Sequence, residues 1–115
     1  MKFILSLVFL CLSFVILAQS DDWRLISNGN KIYEPGNCDQ PYIVTAKDGT
    51  WVCTFTTSPG QEGDQIQYIV SSYSTDQGKT WSEPVEIEPA AANIEASWAM
   101  PLITSYDRVY VFYTC

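Results

Sequence analysis

Beyond residue 20, polar and apolar positions alternate or gather into short β-branched and aromatic runs, and no stretch keeps the 3.6-residue period of an amphipathic helix. The runs predict strands at 42–46, 50–57, 65–73, 85–88, 99–105 and 108–114. Clusters of turn-forming residues separate them: Lys47-Asp48-Gly49, Ser58-Pro59-Gly60 followed by Glu62-Gly63-Asp64, Asp76-Gln77-Gly78, residues 89–93, and Tyr106-Asp107. In the third run the alternation sets Ile66, Tyr68 and Val70 on one face. Six strands without a helix predict an all-β fold.

The pattern also repeats. Pro41-Tyr42-Ile43-Val44 opens a strand that turns at Asp48-Gly49 and returns through Trp51-Val52-Cys53-Thr54-Phe55. Pro101-Leu102-Ile103-Thr104 opens another, which turns at Asp107 and returns through Val109-Tyr110-Val111-Phe112-Tyr113. Aligned on the prolines the spacing is 60 residues, and aligned on the turn aspartates it is 59. Four short strands per period is the signature of a β-propeller blade, here lengthened by a loop before the third strand. Residues 21–40 then form a lead-in, 41–88 a first blade, and 89–115 the truncated start of a second. Propellers close with about four to eight blades, so the chain is expected to be the N-terminal part of a larger protein.

Residues 1–20 follow another logic. Lys2 precedes an apolar run from Phe3 to Leu17, broken only by Ser6 and Ser13, and Ala18-Gln19-Ser20 ends it in small residues. This is the form of a secretory signal peptide, with cleavage after Ala18 or Ser20, and it predicts a secreted or periplasmic protein with no other membrane association. The run is short for a full bilayer span, which takes about 20 residues.

Beyond residue 20 stand five basic and thirteen acidic residues, a net charge of −8. That balance argues against nucleic acid or anionic membrane as a partner, and the scattered basic residues form no cluster for an anionic ligand. The chain has no histidine, which excludes His-based metal sites and Ser-His-Asp triads. Cys38, Cys53 and Cys115 lack the C-x-x-C spacing of a structural zinc site, so no metal or cofactor is expected. With a turn at Asp48-Gly49, Cys53 falls opposite about residue 44, not Cys38. An odd count leaves at least one thiol unpaired within the chain.

The most specific stretch is Ser74-Thr75-Asp76-Gln77-Gly78-Lys79-Thr80-Trp81, which reads S-x-D-x-G-x-T-W. Asp76 can accept backbone N–H groups in the turn, Gly78 can take positive φ, and Thr80 and Trp81 begin the return strand. These residues make the chain similar to the sialidase-like β-propellers, whose Asp box, or BNR repeat, has this pattern. The resemblance implies a six-bladed propeller, of which about one and a half blades are present. It also implies a structural role for Ser74, Asp76, Gly78, Thr80 and Trp81, in a turn away from the substrate.

The same resemblance implies an exported exo-glycoside hydrolase that cleaves terminal sialic acid or a related sugar, with a glycan or glycoconjugate as partner. In that family arginines hold the substrate carboxylate, an aspartate serves as acid/base, and a tyrosine paired with a glutamate is the nucleophile. The first arginine belongs to an Arg-Ile-Pro motif. Here Pro41 matches the proline, Gln40 stands for the isoleucine and Asp39 stands for the arginine. An aspartate repels a carboxylate, so Asp39 and Gln40 suit a neutral, hydroxyl-rich sugar better. Asp64, in the loop ten residues before Ser74, matches the acid/base aspartate; it is also a turn former, and Glu62 is its substitute. Glu95 and Trp98 precede the second repeat as Asp39 and Gln40 precede the first, and Trp98 can stack on a sugar ring or fill a rim of the core. The nucleophilic pair falls in later blades. The competing expectation is a non-catalytic propeller that binds carbohydrate or protein.

Overall fold

The computed structural model describes residues 22, 24–61, 66–91 and 95–115. Among them the chain is all-β, with one short 3-10 turn at Ile26–Asn28. The strands are β1 (Asn37–Thr45), β2 (Trp51–Ser58), β3 (Tyr68–Ser74), β4 (Val85–Glu88), β5 (Ser97–Ile103) and β6 (Val109–Thr114). β1 to β4 form an antiparallel sheet in chain order, and β5 and β6 form a separate antiparallel hairpin. No helix among the described residues is long and apolar enough to cross a membrane. The segment read as a signal peptide lies outside the described residues.

β1 and β5 begin earlier than the alternation predicts, at Asn37 and Ser97 instead of residues 42 and 99. Both carry a bulge that the period-two pattern conceals. Asp39 pairs with Thr56 and Tyr42 with Thr54, so Gln40 and Pro41 together face one residue of β2. Ser97 pairs with Thr114 and Met100 with Phe112, so Trp98 and Ala99 do the same on β6. The first residue of each bulge is left-handed, Gln40 at φ 52° and Trp98 at φ 61°. Glycine usually holds that place in a bulge.

These bulges fix the true period. Thr45 opposite Trp51 corresponds to Ile103 opposite Val109, and Gly49 at φ 88° corresponds to Asp107 at φ 57°, each 58 residues later. The turn hydrogen bonds follow the same offset: Ala46 N–H to Thr50 O (2.8 Å) becomes Thr104 N–H to Arg108 O (2.9 Å). The spacings of 60 and 59 are therefore corrected to 58. Pro41 corresponds to Ala99, and Pro101 to Ile43, because the prolines occupy different places relative to their bulges.

The first sheet is covered on both faces. On one, Cys53, Phe55 and Val70 are buried and pack with Ile32 and Tyr33 of the lead-in, Tyr68 and Trp81. On the other, Ile69 packs with Ala96, Ala99, Ile87 and Val111. Burying a side chain such as Phe55 or Ile69 contributes about 1.5–3 kcal/mol. Tyr68 and Val70 share the Phe55 face as the alternation predicts, Ile69 is buried on the opposite face, and Ile66 lies before the strand, exposed, at φ 102°. Small side chains let β5 come close: the fully buried Thr54 donates its hydroxyl to Ala99 O at 2.6 Å. At the turns, the Lys47 N–H donates to Asp107 Oδ1 at 3.1 Å and the Lys47 ammonium to Ser105 O.

Candidate functional site

The strand register separates two ends of the molecule. The turn between β1 and β2, the Ser74–Trp81 turn and the turn between β5 and β6 share one end. The other gathers the bulges, the β2–β3 connection and the approach to β5.

At the first end, residues 74–81 form a closed hydrogen-bonded loop. Ser74 Oγ donates to Asp76 Oδ1 at 2.8 Å and accepts the Gly78 N–H at 2.8 Å. Asp76 Oδ1 also accepts the Thr80 N–H at 2.9 Å, and Oδ2 accepts the Thr80 hydroxyl at 2.6 Å. The Thr80 hydroxyl and N–H, followed by the Ser74 hydroxyl, pull the Asp76 carboxyl down to about 2. Gly78 has φ 83°, and a Cβ there would come within 3.1 Å of the Trp51 ring, so the turn demands glycine on both counts. Asn30 of the lead-in donates to Gly78 O at 3.2 Å, and Trp81 closes over the Phe55 cluster. With both carboxylate oxygens hydrogen-bonded within its own turn, Asp76 serves structure there. Nearby, Tyr33, Glu34, Trp81 and Pro84 line a cleft of about 330 Å³.

The bulged end brings together three of the residues read from the sequence. Asp39 is half-buried, and its Oδ1 accepts the Gln40 N–H at 2.7 Å. Gln40 Oε1 accepts the Trp98 N–H at 3.2 Å, joining the two bulges directly. These residues lie inside β1 and β5, not ahead of them. Trp98 is 52% exposed, which removes it from the core and leaves its indole available for a ligand. Glu95 is exposed and adjoins Ala96, whose N–H donates to Gln67 O at 3.2 Å. Asp64 and Glu62 lie outside the described residues, between β2 and β3 in sequence.

A set of residues beside them escaped the sequence reading. Thr56 and Ser58 are 1% and 2% exposed, yet their hydroxyls have no hydrogen-bond partner among the described residues, and neither does Asn37 Nδ2. Thr56 stands directly opposite Asp39, and Ser58 opposite Asn37. Cross-strand partners share a face, so the three orphaned groups and the Asp39 carboxylate belong to one face of the sheet. The signal was the hydroxyl-rich run Thr54-Phe55-Thr56-Thr57-Ser58, read only as a β-branched strand.

Charge at this end is one-sided. Arg24 is committed to Asp22, with Nε 2.9 Å from Oδ1, and Lys31 to Glu34. Lys47, Lys79 and Arg108 lie in or beside the turns of the opposite end. Among the described residues, no group of His, Cys, Asp and Glu side chains could hold a metal ion. Cys38, Cys53 and Cys115 are free thiols; burial pushes Cys53 up to about 11, which leaves it protonated and unreactive. Cys53 stands opposite Ile43, and Cys38 opposite Thr57. Neither a family model, nor a curated protein, nor a solved structure matches the chain.

Proposed function

We propose that the chain contributes the first blade and the start of the second to an exported, sialidase-like β-propeller whose complete form hydrolyses terminal glycosidic bonds. The observation that carries this reading is the hydrogen-bonded S-x-D-x-G-x-T-W turn closing a four-stranded antiparallel meander, with the same bulged hairpin starting again 58 residues later. The bulged end is the substrate end in this reading. Gln40 and Trp98 meet there, Trp98 is exposed, and Asp64 falls in sequence between the ends of β2 and β3 that pair there, Thr57 with Tyr68.

Asp64 is assigned the role of general acid/base, protonating the leaving oxygen and then activating water. Asp39 and Gln40 bond sugar hydroxyls, Trp98 offers its apolar face, and Glu95 borders the pocket. The tyrosine and glutamate of the nucleophilic pair are assigned to later blades. Hydrolysis of fluorogenic glycosides, sialosides among them, by the full-length protein tests the assignment. Asp64→Asn is expected to lower kcat by at least a hundredfold; activity within a few-fold of wild type removes Asp64 from the mechanism.

One observation favours a second reading, a propeller that binds glycans or proteins without cleaving them. Asp39 occupies the place of an arginine in the hydrolases it resembles, and its carboxylate already holds the bulge through the Gln40 N–H. Binding of glycans by the full-length protein, without turnover of any glycoside, is the result that selects this reading.

A further inference from the structure

We propose that the cleft between the lead-in and the return of the Ser74–Trp81 turn binds a quaternary ammonium group, such as that of choline, against Tyr33, Trp81 and Glu83. The site shares no residue with the bulged end and does not depend on the glycan reading.

The cleft, about 330 Å³ in volume, lies between residues 31–35 and 81–84. Its two aromatic walls are held from behind. Tyr33 and Trp81 are both half-buried and pack on the Cys53, Phe55 and Val70 cluster, with the Tyr33 ring centroid 6.0 Å from that of Phe55. Side chains anchored in this way lose little freedom when a ligand arrives.

The rest of the lining decides the ligand. Pro35 and Pro84 carry no N–H. The Ser82 hydroxyl accepts the Tyr73 N–H at 3.1 Å and donates to Glu83 O at 3.2 Å, so it is already engaged. Lys31 brings the one cation of the lining, and its ammonium is bound to Glu34. Glu83 is exposed, and its carboxylate has no ion-pair partner among the described residues. Two carboxylates against one ammonium disfavour an anion, and a polyol finds few free donors. A quaternary ammonium needs none of these. It forms no hydrogen bond of its own, is attracted to the faces of Trp and Tyr rings, and balances the charge of Glu83. Its methyl groups also suit the apolar sides of the two prolines.

Isothermal titration calorimetry of the full-length protein, at constant ionic strength, with choline and with its neutral carbon isostere neopentyl carbinol tests the proposal. Choline is expected to bind at least about ten times more tightly than the isostere. Glu83→Gln is expected to weaken choline about fivefold and leave the isostere unchanged, whereas Lys31→Gln, which frees Glu34, is expected to tighten choline about twofold. Both positions are exposed, so the substitutions leave the fold intact. Phosphocholine and trimethyllysine, titrated in the same way, identify the bearer of the group: tighter binding of the first supports a lipid headgroup as the source, and of the second a modified protein. Equal affinity for choline and its isostere overturns the proposal, as does the absence of choline binding at tens of millimolar. Choline affinity unchanged in both Glu83→Gln and Lys31→Gln puts the ammonium outside this cleft and overturns it as well.

Discussion

Asp76 shows how much of a turn one side chain can organise. Its two oxygens hold three donors from Ser74 and Thr80, and the carboxyl is depressed to about 2 as a result. A carboxyl whose pKa is lower folded than unfolded contributes stability that is complete above its unfolded value, near 3.9, and lost as pH falls toward 2. Acid unfolding followed by circular dichroism should therefore show wild type losing stability between about pH 4 and 2. Asp76→Asn should start with a lower thermal midpoint at pH 7 and show a flatter slope through that window. Equal slopes in the two proteins would place the acid sensitivity elsewhere. The aspartate and glycine of this turn were legible because each residue type has a physical reason to be there, and the serine through the S-x-D-x-G-x-T-W pattern alone. Thr56 and Ser58 were not, because a hydroxyl in a β-branched run looks the same whether it is satisfied or orphaned.

Among the elements, the strands were readable and their beginnings were not. A period-two pattern loses phase at a bulge, so Asp39-Gln40 and Ser97-Trp98 fall outside the predicted strands although they belong to β1 and β5. For the same reason the repeat measured on prolines was two residues too long. The placement of Gln40 and Trp98 against each other followed from tertiary packing of two hairpins, which no local pattern encodes. The contact that seats those hairpins is open to test. Thr54→Val keeps the side-chain shape but leaves Ala99 O without its 2.6 Å donor. A loss of about 1–3 kcal/mol is expected for such a buried group, measured by urea denaturation, with the midpoint shifted and the slope unchanged.

At the scale of the whole molecule, the two hairpins differ in what covers them. Tyr42, Val44 and Val52 are half-buried and Thr54 is fully buried, on the face where β5 packs. Their counterparts 58 residues on are Met100, Leu102, Tyr110 and Phe112, between 48% and 59% exposed. Met100 stands opposite Phe112 and Leu102 opposite Tyr110, so the four form a continuous apolar patch. The 115-residue chain is expected to self-associate through it. Sedimentation velocity should show a concentration-dependent increase in mass for wild type and a monomer for the double variant Leu102→Lys, Phe112→Glu. Persistence of the larger species in that variant would move the contact to another surface.

The meander of the first sheet has a consequence in time. Each of its strands pairs with the strand made just before it, and only residues 46–50 separate β1 from β2. Pairings this local give low contact order and little loop entropy to overcome. The β1–β2 hairpin can close as soon as Ser58 has left the ribosome, and β3 and β4 can then add in the order of synthesis, none waiting for a distant partner.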